Sequence, residues 1–343
     1  MSDSVMYGDF GPIGEVAVEH KPNEQKAWCC PQCLRVFHNE GSGDAHHVLC
    51  QDQLPGIVVY RDVCRSINIH MISGKSNEEF VSRLCSLALR EMPSKMENAH
   101  LENYEFYVCS VGKDFLERNC HTSADNRESS MAVCAFFSRD RTREEHNLSA
   151  IVTFRPFRSL GFGFLLVDFS YLLSMERIRS RSVFRALRDI DVLYPGPEFP
   201  LSSAGQRLYD RYWDYAVSKT MISTLIDQRK PTLCVKEISC LTGIDYFVVL
   251  DIFRRLAARS GMDASWVDER NVYRDEEIFQ GHSHGGVDDS PNDVLLMKKS
   301  RKAFCSVNVV MEILLQLNLE TIPMDRANVI RENLEYVMSY SDD

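Results

Sequence analysis

The amino-acid sequence predicts a mixed α/β protein, and three observations carry that prediction. Apolar or alternating runs between residues 56 and 154 are cut by charged loops, a Cys/His cluster near residue 30 precedes them, and helical periodicity follows residue 164. The 343 residues are 44% hydrophobic, 26% charged and 10% aromatic, which fits a globular core with an appendage and excludes a fully disordered chain. No run approaches the ~20 consecutive apolar residues of a membrane span, and Met1 to Glu19 is too acidic for a secretion signal, so a protein kept inside the cell is expected. The 12 cysteines, many set in apolar runs such as Val133-Cys134-Ala135, are expected to be reduced and buried.

Residues 1–26 hold Gly, Pro, Asp and Glu without periodicity and read as a flexible leader. Residues 27–75 read as a zinc-finger subdomain with the first strands, Gly56 to Tyr60 and Ser66 to His70. The span 76–215 reads as the main core. It opens on a helix, Asn77 to Arg90, with Phe80, Leu84, Leu87 and Ala88 on one face. Strands follow at Tyr104 to Ser110, Met131 to Ser138 and Ser149 to Phe154. Arg155-Pro156 ends the last strand, and Leu165, Leu166, Phe169, Leu172 and Leu173 then mark a helix that buries one stripe. After Pro195-Gly196-Pro197, Leu201 to Trp213 is helical in pattern. Residues 216–261 read as two helices about the turn Leu241 to Ile244, with Asp245 capping the second. Residues 262–343 read as an acidic linker and two closing amphipathic stretches, Val294 to Leu317 and Arg326 to Tyr340, which can dock a subunit.

Charge follows this division. Residues 1–261 carry 31 Lys/Arg against 33 Asp/Glu, and residues 262–343 carry 8 against 16. The closing segment is therefore a poor grip for a phosphate backbone and reads as a solvated acidic surface or a dock for a basic partner.

Cys30, Cys33, His46 and Cys50 follow the pattern Cys-x2-Cys-x12-His-x3-Cys. Thiolate and imidazole suit tetrahedral zinc; a two-residue gap lets two sulfurs of a tight turn face one ion, and His-x3-Cys projects from one side of a helical turn. Four protein ligands leave no open position, so the zinc is expected to be structural. Cys29 and His47 are neighbouring substitutes excluded by spacing alone.

Arg158-x-x-Gly161-x-Gly163, between a strand and a helix, has the form of an anion cradle, because backbone N–H groups and a helix N-terminus face one point. The same residues also suit an ordinary strand-to-helix turn. The surroundings add more. The run from Asn147 to Gly163, continuing to Ser174, resembles the acetyl-CoA-binding core of the MYST family of histone acetyltransferases. So do the zinc-finger spacing, Val59-Tyr60-Arg61-Asp62, Phe136-Phe137-Ser138, Pro197-Glu198-Phe199-Pro200-Leu201-Ser202 with Gly205 and Tyr212-Trp213, and the helix-turn-helix portion Val235 to Leu256. The resemblance covers about residues 28–258.

That resemblance implies a GNAT-like acetyltransferase core with an N-terminal Cys-Cys-His-Cys zinc finger and a C-terminal helix-turn-helix subdomain. It implies acetyl-CoA as substrate, histone tails or nucleosomes and chromatin-complex subunits as partners, and a nuclear location. Ile151, Val152 and Thr153 would meet the cofactor along the strand; Arg158, Ser159, Leu160, Gly161, Phe162, Gly163 and Phe164 would hold its pyrophosphate; Ser202 would contact it further along. Glu198 would be the general base, and Lys95 falls where the family has a self-acetylated lysine.

Departures from the family pattern are specific. Its cysteine beside the acetyl group falls on Ala150, so an acetyl-cysteine at this position is excluded and direct attack in a ternary complex is expected. Ser159-Leu160 replaces a usually basic pair, Arg211 replaces a second serine of the cofactor site, and about fourteen extra residues separate Glu176 from Glu198. Glu198 sits beside apolar Phe199 and Pro200, which are expected to shield it from water. Cys134 reads as a small buried hydrophobe rather than a substitute nucleophile. His282 and His284 lack the partners of a metal site. Arg254, Arg255 and Arg259 lie on a partly apolar helix, which argues against sequence-specific DNA reading. Ala150 and Leu160 also fit a second reading, a non-catalytic scaffold that keeps the fold.

Overall fold

Two sheets carry the N-terminal half. The computed structural model describes residues 5–10, 12–13, 27–50, 53–92, 100–119, 131–180, 194–224, 235–259 and 324–340. The chain divides into two compact units, Met1–Leu166 with Ile322–Asp343, and Val167–Thr321. This division cuts across the segments 76–215 and 262–343 expected from the sequence.

In the first unit, β1 (Val5–Tyr7), β2 (Pro12–Ile13), β3 (Ala27–Cys29) and β4 (Val36–Phe37) form a sheet in the order β2-β1-β3-β4. The leader expected to be flexible thus supplies two strands. Val5, Tyr7 and Ile13 are fully buried, in strands too short for periodicity to reveal. Helix α1 (Glu40–Leu49) follows. The larger sheet holds β5 (Ile57–Asp62), β6 (Ile67–Ser73), β7 (Tyr104–Val111), β8 (Ala132–Asp140) and β10 (Ala150–Thr153), in the order β10-β8-β7-β6-β5 and antiparallel throughout; β9 (His146–Leu148) is a short segment before β10. β7 and β8 are buried along almost their whole length, which explains their unbroken apolar runs. A buried ion pair crosses between them: Glu105 stands opposite Arg139 in the register, 3.5 Å away, and the Tyr107 hydroxyl donates to Glu105. Helix α2 (Glu78–Glu91) buries the expected Phe80, Leu84, Leu87 and Ala88 together with Val81, and α3 (Lys113–Asn119) buries Phe115 and Leu116.

The C-terminal residues return to this unit. Val329 bridges Tyr60, the Ile330 N–H donates to the Val59 carbonyl at 2.9 Å, and Asn333 donates to the Val58 carbonyl at 2.8 Å. These bonds cover β5, an edge strand that would otherwise present open backbone groups. The last helix of the chain, Arg331–Tyr340, is buried at Leu334 and Val337. The apolar side expected to face a subunit is therefore turned inward on its own sheet. The other closing stretch, 294–317, lies outside the described residues, as do His282 and His284.

Helix α4 (Phe162–Ser180) begins in the first unit and continues into the second. It was expected to bury a single stripe, yet every residue from Phe164 to Met175 is buried. Three of its buried polar residues have partners: Ser170 donates to the Val167 carbonyl at 2.7 Å, Ser174 donates to the Ser170 carbonyl, and Asp168 accepts from the Tyr212 hydroxyl. In the second unit, β11 (Gly196–Pro197) precedes α5 (Ser203–Ile222), α6 (Val235–Thr242) and α7 (Tyr246–Arg259). Trp213 donates to the Tyr171 hydroxyl at 2.8 Å, and Tyr171 stacks on Tyr212. The expected cap at Asp245 is present, accepting from the Phe247 N–H at 2.8 Å. The α7 residues Leu250, Ile252, Phe253 and Leu256 are buried, and Arg255 is engaged by Asp214 and Asp251.

Candidate functional site

Two features of the first unit carry most of the site residues expected from the sequence. The first is the cysteine cluster. Cys30 and Cys33 stand on the turn after β3, closed by the Leu34 N–H on the Cys30 carbonyl and by the Cys30 N–H on Arg35, both at 2.9 Å. His46 projects from α1 and Cys50 follows its end. The four donor atoms lie within 4.8 Å of one another, and Cys33 Sγ is 3.1 Å from His46 Nε2. Tetrahedral zinc with bonds of about 2.3 Å to sulfur would bring neighbouring sulfurs to about 3.8 Å, so the four residues fit that ion with small adjustment. A hydrogen bond from Cys33 pulls the Cys30 thiol below its ordinary value, while that same bond and burial push Cys33 up. A metal bound there would need both sulfurs as thiolates, so its binding would release protons.

The cluster rests on Trp28. Gly43 of α1 makes this possible, because a Cβ there would lie 2.3 Å from the indole. Phe37 fills the other side, its ring 4.8 Å from the His46 imidazole. Cys29 stays out of the ligand set: it is fully buried, its sulfur is 3.6 Å from the Cys30 carbonyl, and burial pushes its thiol up. The side chain of His47 lies outside what the structure describes. The unit is tied to the large sheet, since Val133 N–H donates to the Pro31 carbonyl at 2.9 Å and the Tyr7 hydroxyl lies 2.7 Å from the Val133 carbonyl.

The second feature is the loop after β10. β10 is an edge of the large sheet, with Ile151 opposite Phe137, Val152 opposite Phe136 and Thr153 opposite Ala135. Ile151 and Thr153 are half-buried and Val152 is buried. An edge strand leaves backbone N–H and C=O groups on its outer side able to meet an extended ligand. A 3-10 turn, Arg155–Phe157, follows; Phe154 and Phe157 are fully buried and fix its course. Ser159 and Gly161 then adopt positive φ, +64° and +89°, before α4 starts at Phe162. Phe162 and Phe164 point inward and are buried, whereas Ser159 is exposed and Leu160, Gly161 and Gly163 are half-exposed. Left-handed residues set just before a helix turn backbone N–H groups toward one point, which is the arrangement that cradles a phosphate. Arg158 is anchored rather than loose: its Nε donates to the Thr153 carbonyl at 3.3 Å and its guanidinium pairs with Glu91 at the end of α2.

Ala150 is half-buried on β10 and offers no nucleophile. Cys134 is fully buried, with its sulfur 3.3 Å from the Cys109 carbonyl, and burial pushes its thiol well up, as suits a core residue. In the second unit, Glu198 is half-buried just after β11. The apolar cover expected from its neighbours is absent. Phe199 is 64% exposed and Pro200 is also exposed, because neighbours in sequence project in different directions from an irregular turn. Ser202 caps α5, its hydroxyl accepting from the Gly205 N–H at 3.1 Å, and Arg211 is exposed on the same helix. Lys95 lies outside the described residues. Glu91 was not singled out from the sequence; its signal was an acid closing a helix at the end where the dipole disfavours one.

The sequence matches the MOZ/SAS family over residues 53–292, well over half of its length. The chain belongs to the MOZ/SAS family. Its resemblance to MYST proteins is borne out, and with it the GNAT-like mixed α/β class. The family match begins after Cys50, so the candidate metal centre stands on its own geometry. The histone acetyltransferase mst2 of Schizosaccharomyces pombe is 27% identical over 229 residues, 64% of this chain and 49% of that protein. The histone acetyltransferase esa1 of Emericella nidulans is 26% identical over 259 residues, 73% of this chain and 44% of that protein. Human histone acetyltransferase KAT6A is 25% identical over 262 residues, 75% of this chain and 11% of its own. The chain thus spans about half or less of the length of these relatives. No helix among the described residues is long and apolar enough to cross a membrane.

Proposed function

We propose that this chain is a protein lysine acetyltransferase that moves acetyl from acetyl-CoA to a histone lysine, in the nucleus and within a chromatin complex. The observation that carries this reading is the loop from Arg158 to Gly163, whose positive-φ residues precede a helix start beside the edge strand β10. In a family member that arrangement suits a diphosphate at the loop and an extended thioester arm along Ile151 to Thr153. Zinc held by Cys30, Cys33, His46 and Cys50 would supply structure alone, since four protein ligands leave no place for substrate.

The chemistry needs a neutral amine. A free lysine has a pKa of ~10.4, about three units above cell pH, which costs about 4 kcal/mol. Glu198 takes the role of base by its place in the Pro-Glu-x-Pro-Leu-Ser segment: it accepts one proton from the lysine ammonium, the neutral nitrogen attacks the thioester carbonyl, the C–S bond breaks, and the nitrogen's second proton passes to the sulfur, which leaves as the coenzyme A thiol. Direct attack is favoured, because Ala150 offers no thiol and Cys134 is sealed in the core.

Radiolabel transfer from acetyl-CoA to core histones, compared between the wild type and Glu198→Gln, tests the reading. Label that falls about 100-fold in the variant supports it. Absence of both label and coenzyme A binding supports a scaffold instead, the reading to which Ala150 and Leu160 lend themselves.

A further inference from the structure

Glu91 is placed where a carboxylate has little to recommend it. It closes α2, where the helix dipole is negative, and its side chain is 3% exposed. Two partners on the loop offset that cost. One carboxylate oxygen accepts from the Arg155 N–H at 3.3 Å, and the other meets the Arg158 guanidinium. With Arg158 Nε on the Thr153 carbonyl, these contacts tie the end of β10, the 3-10 turn and the first residue of the loop to α2. The Arg158 side chain is nonetheless 51% exposed, so one edge of the guanidinium is held by protein while part of it still faces solvent.

We infer that Glu91 is a positioning residue for the anion loop: it fixes the backbone that carries the N–H cradle and orients Arg158 toward the diphosphate of the ligand. The inference rests on the coenzyme reading above and extends it to a residue on a different element. The pair is neutral, so its contribution is geometric rather than an added positive charge. The alternative, that Glu91 competes with the ligand for Arg158, predicts the opposite sign.

The experiment measures, on the full chain, affinity for coenzyme A and, by displacement, for pantetheine, which lacks the diphosphate. Glu91→Ala is expected to weaken coenzyme A about tenfold, the loss of a charge-assisted hydrogen bond, while pantetheine changes less than about twofold. Glu91→Gln keeps an acceptor oxygen for the Arg155 N–H and is expected within about threefold of wild type. Arg158→Ala, which removes a half-exposed side chain, is expected to match Glu91→Ala, and the double variant to be no worse than either. The role is overturned if Glu91→Ala tightens coenzyme A or leaves it unchanged, if both ligands weaken equally, or if the two losses add. A wild type that binds neither ligand overturns the coenzyme reading itself, a result distinct from unchanged binding in Glu91→Ala alone.

Discussion

The candidate metal centre and the loop after β10 sit in the same unit and are built on opposite principles. At the centre, four side chains converge from a turn and a helix, and the backbone matters only for bringing them within 4.8 Å. At the loop, Phe162 and Phe164 turn inward, and beyond the Arg158 guanidinium it is backbone N–H groups that are left to meet a ligand. The first arrangement is specified by residue identity and the second by residue conformation. Perturbations should therefore act differently on the two: replacing a ligand removes the centre outright, while replacing a loop residue beyond Arg158 matters only if the new residue resists the required φ.

The largest effect is expected at the metal. Cys33→Ser should abolish stoichiometric zinc, measured by elemental analysis, and uncouple the residues around Trp28 and His46. Structural zinc in small units contributes about 10 kcal/mol or more of folding free energy, far above what the aromatic contacts of Trp28 and Phe37 can replace. Because Pro31 and Tyr7 both reach Val133, part of that loss should appear as a lower melting temperature of the large sheet. Full zinc content in Cys33→Ser would contradict the ligand assignment.

Acid should reach both the centre, whose ligands must be deprotonated, and the sheet behind the loop. His70, 9% exposed on β6, has its pKa lowered to about 4, first by burial and then by the nearby Arg61 charge, against a hydrogen bond to Pro55 that raises it. The unfolded chain takes up this proton near pH 6.5, and the folded chain only near 4. Stability from this group is complete above about pH 6.5 and falls as pH drops toward 4, by about 3 kcal/mol in all. Urea unfolding of the wild type and His70→Gln at several pH values separates this slope from the metal's. Parallel curves for the two proteins would remove His70 as the cause.

Much of the architecture was legible in the sequence where a pattern repeats. The strands β5 to β8 and β10, the buried face of α2, the cap at Asp245 and the convergence of Cys30, Cys33, His46 and Cys50 all follow from periodicity, spacing or cap chemistry. What was not legible depends on contacts between distant segments. Val5 to Tyr7 is a strand because β3 lies beside it, and α4 is buried all round from Phe164 to Met175 although its periodicity marks one stripe. The Arg331–Tyr340 helix reads as a docking surface until β5 is found under it. At the site, the residue types were visible through family resemblance, but the Glu91–Arg158 pair joins positions 67 residues apart, and no local pattern announces it.

The smallest effect tests the loop's side of the contrast most directly. Gly161 has φ of +89°, outside the range that suits an L side chain, whereas Ser159 holds φ of +64°, which glycine tolerates at least as well as serine. Gly161→Ala should therefore cost about 1–2 kcal/mol or shift the N–H groups, and either outcome weakens coenzyme A about tenfold by calorimetry while zinc content stays full. Ser159→Gly should leave affinity within about twofold, because it alters a side chain and not the required conformation. If Ser159→Gly proved the more damaging of the two, the serine hydroxyl would be the ligand contact. The loop would then be a side-chain site like the metal centre, and the opposition between the two regions would dissolve.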